Sequence, residues 1–198
     1  MRLCKASTLE YKHRDLKDLE EKLKLAMKAR IRMIATEGVF SMEGTIAPLP
    51  EIIALAKKYD AVILVDDSCA TGVIGKTGKG TPEHFNVEGQ IDIITSCLGK
   101  ALGGSTGGYT VAKEDIINVI RHKGRPYVYS NSSSPSVIGA TIETFNMLDE
   151  NTDLIDNLRD NTKLFRRSLK EAGFKVIGHQ EVPIAHIKVG DDATTRKF

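Results

Sequence analysis

One stretch constrains this chain more than any other. Ala61-Val62-Ile63-Leu64-Val65 is apolar without alternation and halts at Asp66-Asp67. A strand with one wet face alternates apolar and polar residues, so an unbroken apolar strand belongs to a parallel sheet covered on both faces. Parallel neighbours need crossover connections, and the preceding sequence supplies one. Ile31 to Thr36 reads as a strand, and Pro50 to Tyr59 as a helix started by prolines, with Ile52, Ile53, Leu55 and Ala56 on its inner side. Strand, helix and strand form a right-handed crossover unit. Further upstream, Leu16, Leu19, Leu23 and Ala26 recur at helical spacing; Asp15 is the predicted N-cap, and Lys28 and Arg30 suit the negative end of the helix dipole.

The pattern continues downstream. Ile91 to Thr95 is a predicted strand, closed by Ser96-Cys97-Leu98-Gly99-Lys100, and Tyr109 to Ala112 follows a glycine cluster at 103–108. Gly72 to Gly80 reads as a mobile glycine-rich loop. Helices are predicted at Glu114–His122, Pro135–Asp149 and Leu154–Ala172, the last capped by Gly173. Phe174–Ile177 and Ile184–Val189 read as strands of a smaller appended unit. The expected class is α/β.

Composition excludes several functions. With 28 Lys+Arg against 26 Asp+Glu and no basic block, there is no electrostatic case for nucleic acid or anionic lipid. No apolar run approaches the roughly 18 residues of a membrane helix, and Met1 to Lys5 lacks the apolar stretch of a secretory signal. Cys4, Cys69 and Cys97 form no CxxC pair or even framework, which predicts free thiols in a reducing compartment: cytoplasm, or mitochondrial matrix in a eukaryote. The five histidines are dispersed without ligand spacing, so no metal site is expected.

Ligands of open parallel sheets bind beyond the carboxyl ends of the strands. Three polar residues are expected there: Ser41 after the first strand, Asp66 after the second and Lys100 after the third. A lysine amine can form a Schiff base with the aldehyde of pyridoxal phosphate while a carboxylate pairs with the protonated pyridine nitrogen. Taken alone, a lysine is more often a solvated surface residue and an aspartate ending a strand a turn former. Gly75-Lys76-Thr77 imitates the end of a phosphate-binding P-loop, but Ala70 stands where that motif needs its first glycine.

Four motifs in order settle the resemblance: Thr36-Glu37-Gly38-Val39-Phe40-Ser41-Met42-Glu43-Gly44, Val65-Asp66-Asp67-Ser68, Leu98-Gly99-Lys100-Ala101-Leu102-Gly103-Gly104, and Arg125-Pro126-Tyr127 with Tyr129-Ser130-Asn131-Ser132. Together they resemble the α-oxoamine synthases, fold-type-I pyridoxal-phosphate enzymes, and within them the glycine C-acetyltransferase branch. The resemblance implies a mostly parallel sheet with helices on both faces. It implies that residues 1–135 are part of the cofactor-binding large domain, 136–172 connecting helices, and 173–198 the start of a small C-terminal domain.

It further implies roles. Lys100 corresponds to the Schiff-base lysine and the base that takes the glycine α-proton. Asp66 corresponds to the partner of the pyridine nitrogen, and Ser41 to a serine beside the cofactor. Ser130 and Asn131 match a segment that reaches the phosphate of the neighbouring subunit's cofactor, making a homodimer with shared sites. The implied reaction, part of threonine and glycine metabolism, condenses glycine with acetyl-coenzyme A to 2-amino-3-oxobutyrate. The 8-amino-7-oxononanoate, 5-aminolevulinate and serine palmitoyl synthases are alternatives within the family; a silent partner subunit is the alternative outside enzymology.

Three departures qualify the match. Cys69 stands where the family carries a histidine near the cofactor's phenolic oxygen, and a thiol is the poorer hydrogen-bond donor. Cys97 stands where the family has a threonine on the cofactor phosphate; one such hydrogen bond is worth about 1.5–3 kcal/mol. The chain also matches only the middle of the family's sequence, before the carboxylate-clamping arginine, so weak cofactor binding and no turnover are expected of it alone.

Overall fold

The structure is a computed structural model and describes residues 5–197; Cys4 and the residues before it lie outside them. The elements run α1 (Leu16–Leu25), β1 (Arg32–Glu37), β2 (Val39–Phe40), β3 (Thr45–Ile46), α2 (Leu49–Tyr59), β4 (Ala61–Asp66), α3 (Thr81–His84), β5 (Ile93–Cys97) and β6 (Gly108–Ala112). Then come α4 (Glu114–Lys123), α5 (Arg125–Val128), α6 (Pro135–Glu150), α7 (Asp153–Glu171), β7 (Val176–Ile177), β8 (His186–Ile187) and α8 (Asp192–Lys197). The main sheet has order β1-β4-β5-β6. β1, β4 and β5 are parallel, and β6 returns antiparallel along β5.

The crossover is built as the pattern predicts. α2 joins the paired strands β1 and β4, and its Leu49, Ile52, Ile53 and Ala56 pack with Leu19 and Leu23 of α1 onto Ile34, Ile63 and Val65 of the sheet. Asp15 caps α1 by accepting from the amides of Lys17 and Asp18. The end of α7 is a Schellman turn: Phe174 N–H donates to the Leu169 carbonyl and Gly173 N–H to that of Lys170, with Gly173 at φ 86° where a side chain would be strained.

The structure differs from expectation in four places. The third strand lies two residues later than its apolar run, at Ile93–Cys97, because it must register with both Asp66 and Gly108. β7 and β8 are only two residues each. Short helices occur at Thr81–His84 and Arg125–Val128, each with a proline in its first turn. Finally, the loop 72–80 is tied down rather than mobile. Gly72 N–H donates to Gly78 O (2.7 Å), Gly80 N–H to Ile74 O (2.9 Å), and Arg159 of α7 grips the carbonyls of Gly75 and Lys76. The carboxylate of Glu83 accepts from the Thr77 amide and hydroxyl and the Lys79 amide. Burial pulls its pKa up, but those hydrogen bonds outweigh it, and the carboxyl ends below its ordinary range.

Candidate active site

Strand register brings the carboxyl ends of β1, β4 and β5 side by side, Glu37 opposite Asp66 and Asp66 opposite Thr95. Two neighbouring aspartates then take opposite paths, because successive residues of an extended chain point to opposite faces. Asp66 is exposed, its Oδ1 accepting only the Ser68 amide at 3.0 Å. Asp67 is 1% exposed and inside the core. It receives the Thr81 hydroxyl at 2.5 Å, the Thr81 amide at 3.0 Å and the Thr71 hydroxyl at 3.4 Å. Burial holds its carboxyl above the usual aspartate range, the threonine donors offsetting only part of that. Asp67 thus fastens the end of β4 to the far end of the glycine loop.

The turn after Asp67 carries Cys69, half-buried and free. Burial raises its thiol pKa; the Lys100 charge works against that, while Glu37, Asp66 and Cys97 add to it. Four charged or polar side chains, Glu37 and Asp66 at the ends of β1 and β4, Cys97 at the end of β5 and Lys100 in the turn after it, are thus close enough to the thiol to act on its charge. Cys97 is the last residue of β5, paired with Gly108, and is also free. Lys100 follows in an exposed turn closed by Ser105 N–H on Leu98 O, 3.2 Å. Among the described residues its amine has no ion-pair or hydrogen-bond partner, and neither does Oδ2 of Asp66.

Other residues singled out by sequence are not gathered there. Ser41 lies in the turn between β2 and β3, not directly beyond β1, because the chain makes a hairpin first (Gly44 N–H to Phe40 O, 2.7 Å). Ser130 and Asn131 are exposed after α5, the Ser130 hydroxyl donating to Pro126 O at 2.6 Å. Among the described residues no hydrogen bond or ion pair joins these three to Lys100. Conversely, Glu37 belongs to the cluster and its position at a strand end in the first motif was the available signal. A cavity of about 300 Å³ lies between the 98–105 turn and α6, lined by Leu98, Leu102, Val137 and Ala140 but by neither Asp66 nor Lys100.

The profile of the family described as aminotransferase class I and II matches residues 1–198, the whole chain. The chain belongs to the aminotransferase class I and II family. Among curated relatives it is 45% identical over 193 residues to an 8-amino-7-oxononanoate synthase of Exiguobacterium sibiricum, covering 98% of this chain and 49% of the relative. It is 46% identical over 191 residues to the mitochondrial 2-amino-3-ketobutyrate coenzyme A ligase of Mus musculus, covering 96% and 46%. The chain spans about half the length of the curated relatives it matches. In three dimensions it superposes on a serine palmitoyltransferase variant of S. paucimobilis with bound PLP and myriocin at TM-score 0.86 and 30% identity, covering 92% of this chain and 47% of that one. The fold is that of the fold-type-I pyridoxal-phosphate transferases, as the motifs implied, and pyridoxal phosphate is the cofactor of this class I and II fold.

The residues present fit that cofactor. An unpaired amine and a carboxylate with a free oxygen share one rim of the sheet, the two groups its aldehyde and its ring nitrogen require. No described helix is long and apolar enough to cross a membrane.

Proposed function

We propose that this chain carries the cofactor-binding core of an α-oxoamine synthase, an acyltransferase that joins an amino acid to an acyl-coenzyme A. The observation that carries the reading is that the neighbouring strands β4 and β5 run parallel and end on the same edge, Asp66 closing the first and Lys100 standing in the turn just after the second. When bound, pyridoxal phosphate supplies a ring that stores the electron pair left when the substrate α-proton departs. The Lys100 amine, without a carboxylate partner among the described residues, would be the group that holds the aldehyde, and would be placed to accept and return the substrate α-proton. The Asp66 carboxylate would keep the ring nitrogen protonated, its orientation set by the Ser68 amide and by the Asp67 anchor behind it. Cys69 would donate weakly near the phenolic oxygen and Cys97 would stand near the phosphate, while Ser41, carried on the β2–β3 turn, would lie beside the cofactor. In this reading Ser130 and Asn131, exposed here, serve the phosphate of a second subunit's cofactor, so the working unit is a homodimer. Residues 1–135 form the cofactor-binding unit, 136–172 the connecting helices, and 173–198 open a smaller one. The compartment is reducing, cytoplasm or mitochondrial matrix.

The finer reading is condensation of glycine with acetyl-coenzyme A. It is favoured by the run Arg125-Pro126-Tyr127 and Ser130-Asn131-Ser132. The relative named 8-amino-7-oxononanoate synthase, at nearly the same identity as the ketobutyrate ligase, supports a second reading with a longer acyl donor. Incubation with pyridoxal phosphate, borohydride reduction and peptide mass spectrometry tests the core claim: the label belongs on Lys100 and disappears in Lys100→Ala. A label elsewhere, with Lys100 unmodified, refutes it. Product formation from glycine and acetyl-coenzyme A, set against alanine and a long-chain acyl donor, decides between the finer readings.

A further inference from the structure

A groove of about 1,000 Å³ runs between α7, the 72–80 loop and the start of β7, and neither Asp66, Cys69, Cys97 nor Lys100 lines it. Its walls carry Lys76 on the loop and Arg159, Lys163, Arg166, Arg167 and Lys170 on α7. Residues 159, 163, 166 and 170 recur at four, three and four, so they share one helix face over about 16 Å at 1.5 Å per residue. Three of the six cations are paired: Arg159 with Asp156, Lys163 with Asp160 and Arg167 with Glu171. The facing carboxylates are otherwise engaged, Glu83 by the Thr77 and Lys79 amides and Glu181 by His84. Lys76 and Lys170, on opposite walls, and Arg166 have no carboxylate partner among the described residues.

Arg166 is the telling member. It is only 6% exposed, yet its guanidinium rests on the backbone carbonyls of Ile177, Val182 and Ile184 instead of on a carboxylate. Its Nε is fully buried and has no hydrogen-bond partner among the described residues. A groove with unpaired lysines on both walls, and a buried guanidinium between them neutralised by no carboxylate among the described residues, is short of negative charge. We propose that this groove binds a small anion carrying several phosphate groups. A single phosphate is too small to bridge Lys76 and the length of α7; a chain of phosphates supplies acceptors to both walls, with the Arg166 charge beneath them.

The experiment is calorimetric titration of the protein with inorganic tripolyphosphate at constant ionic strength. Saturable one-site binding is expected, weakened at least about tenfold in Lys76→Gln/Lys170→Gln, where two charge-assisted contacts are lost. Both lysines are exposed and unpartnered, so the double variant keeps the parent's circular dichroism. Lys100→Ala retains full affinity, which separates this groove from the strand-end site. Displacement by coenzyme A but not ATP assigns the groove to the nucleotide end of an acyl donor; displacement by ATP assigns it to a free nucleotide. Absence of saturable binding, equal affinity in the double variant, loss in Lys100→Ala, or displacement by neither ligand overturns the proposal.

Discussion

Gly38→Ala is a severe test of the claim that Asp67 anchors the site. Gly38 links β1 to β2, its amide donating to Asp66 O at 2.8 Å. Its φ is not in the left-handed region, so the backbone itself tolerates alanine. The added methyl, however, overlaps Oδ1 of Asp67 and stands 2.5 Å from Oγ1 and 3.0 Å from Cγ2 of Thr81. Asp67 is 1% and Thr81 0% exposed, so neither has room to turn away. Relief requires breaking the hydrogen bonds from Thr81 to Asp67. Hydrogen bonds to charged groups are worth about 1.5–3 kcal/mol each, and overpacking a well-filled core costs about 1–3 kcal/mol. The expected destabilisation is about 3–5 kcal/mol, a large share of the roughly 5–15 kcal/mol that holds a domain together. Urea unfolding followed by circular dichroism reads it as a fall in the midpoint. In an Asp67→Ala background part of the obstruction is gone, so the same substitution costs at least about 1 kcal/mol less, a coupling that a double-mutant cycle resolves. A Gly38→Ala protein within about 0.5 kcal/mol of its parent, or two additive substitutions, refutes the anchor.

Cys69→His replaces a weak donor by a good one beside the proposed phenolic oxygen. Pyridoxal phosphate affinity, read from its absorbance band, should rise about two- to tenfold, the worth of one neutral hydrogen bond; an unchanged affinity means that the side chain does not reach the cofactor. Glu83 has a folded pKa below its unfolded value, so its stabilisation is present above the ordinary glutamate range and drains away as pH falls through the depressed value. Glu83→Gln should therefore cost about 1 kcal/mol at pH 7, discounted for partial exposure, and differ progressively less from the parent in urea melts taken toward pH 3. A cost that does not shrink with acid would show that the carboxylate charge is not what holds the loop.

How much of this was legible before any coordinates depends on the range of the interaction. Strands at residues 32–37 and 61–66 and the helix between them follow from local periodicity, and they alone bring Glu37 and Asp66 to one edge of the sheet. The position of β5 is not local. Its apolar run begins at Ile91, but pairing with β4 and with β6 moves the strand to end on Cys97. The order of the loop 72–80 is equally invisible in sequence: nine residues with four glycines look loose, and what holds them is Arg159, more than eighty positions away, with Glu83. Ser41, Ser130 and Asn131 enter the reading chiefly through resemblance, and among the described residues no hydrogen bond or ion pair draws them toward Lys100.

The pair Asp66-Asp67 shows why a site of this kind depends on the core as much as on its own residues. Strand alternation sends one carboxylate to the rim and the other inward, although the sequence gives two identical letters. The inner one is costly to bury and is tolerated because two threonines, one of them fourteen residues on, supply its donors. That expense fixes the turn from which Cys69 emerges and the direction of the outer carboxylate, which Ser68 alone would hold through a single 3.0 Å hydrogen bond. A rim carboxylate left to water samples several rotamers, whereas one that must meet a ring nitrogen has to be in place beforehand. The buried aspartate therefore acts at a distance from the chemistry, and the short helix that begins with Thr81 is, in effect, part of the active-site scaffold.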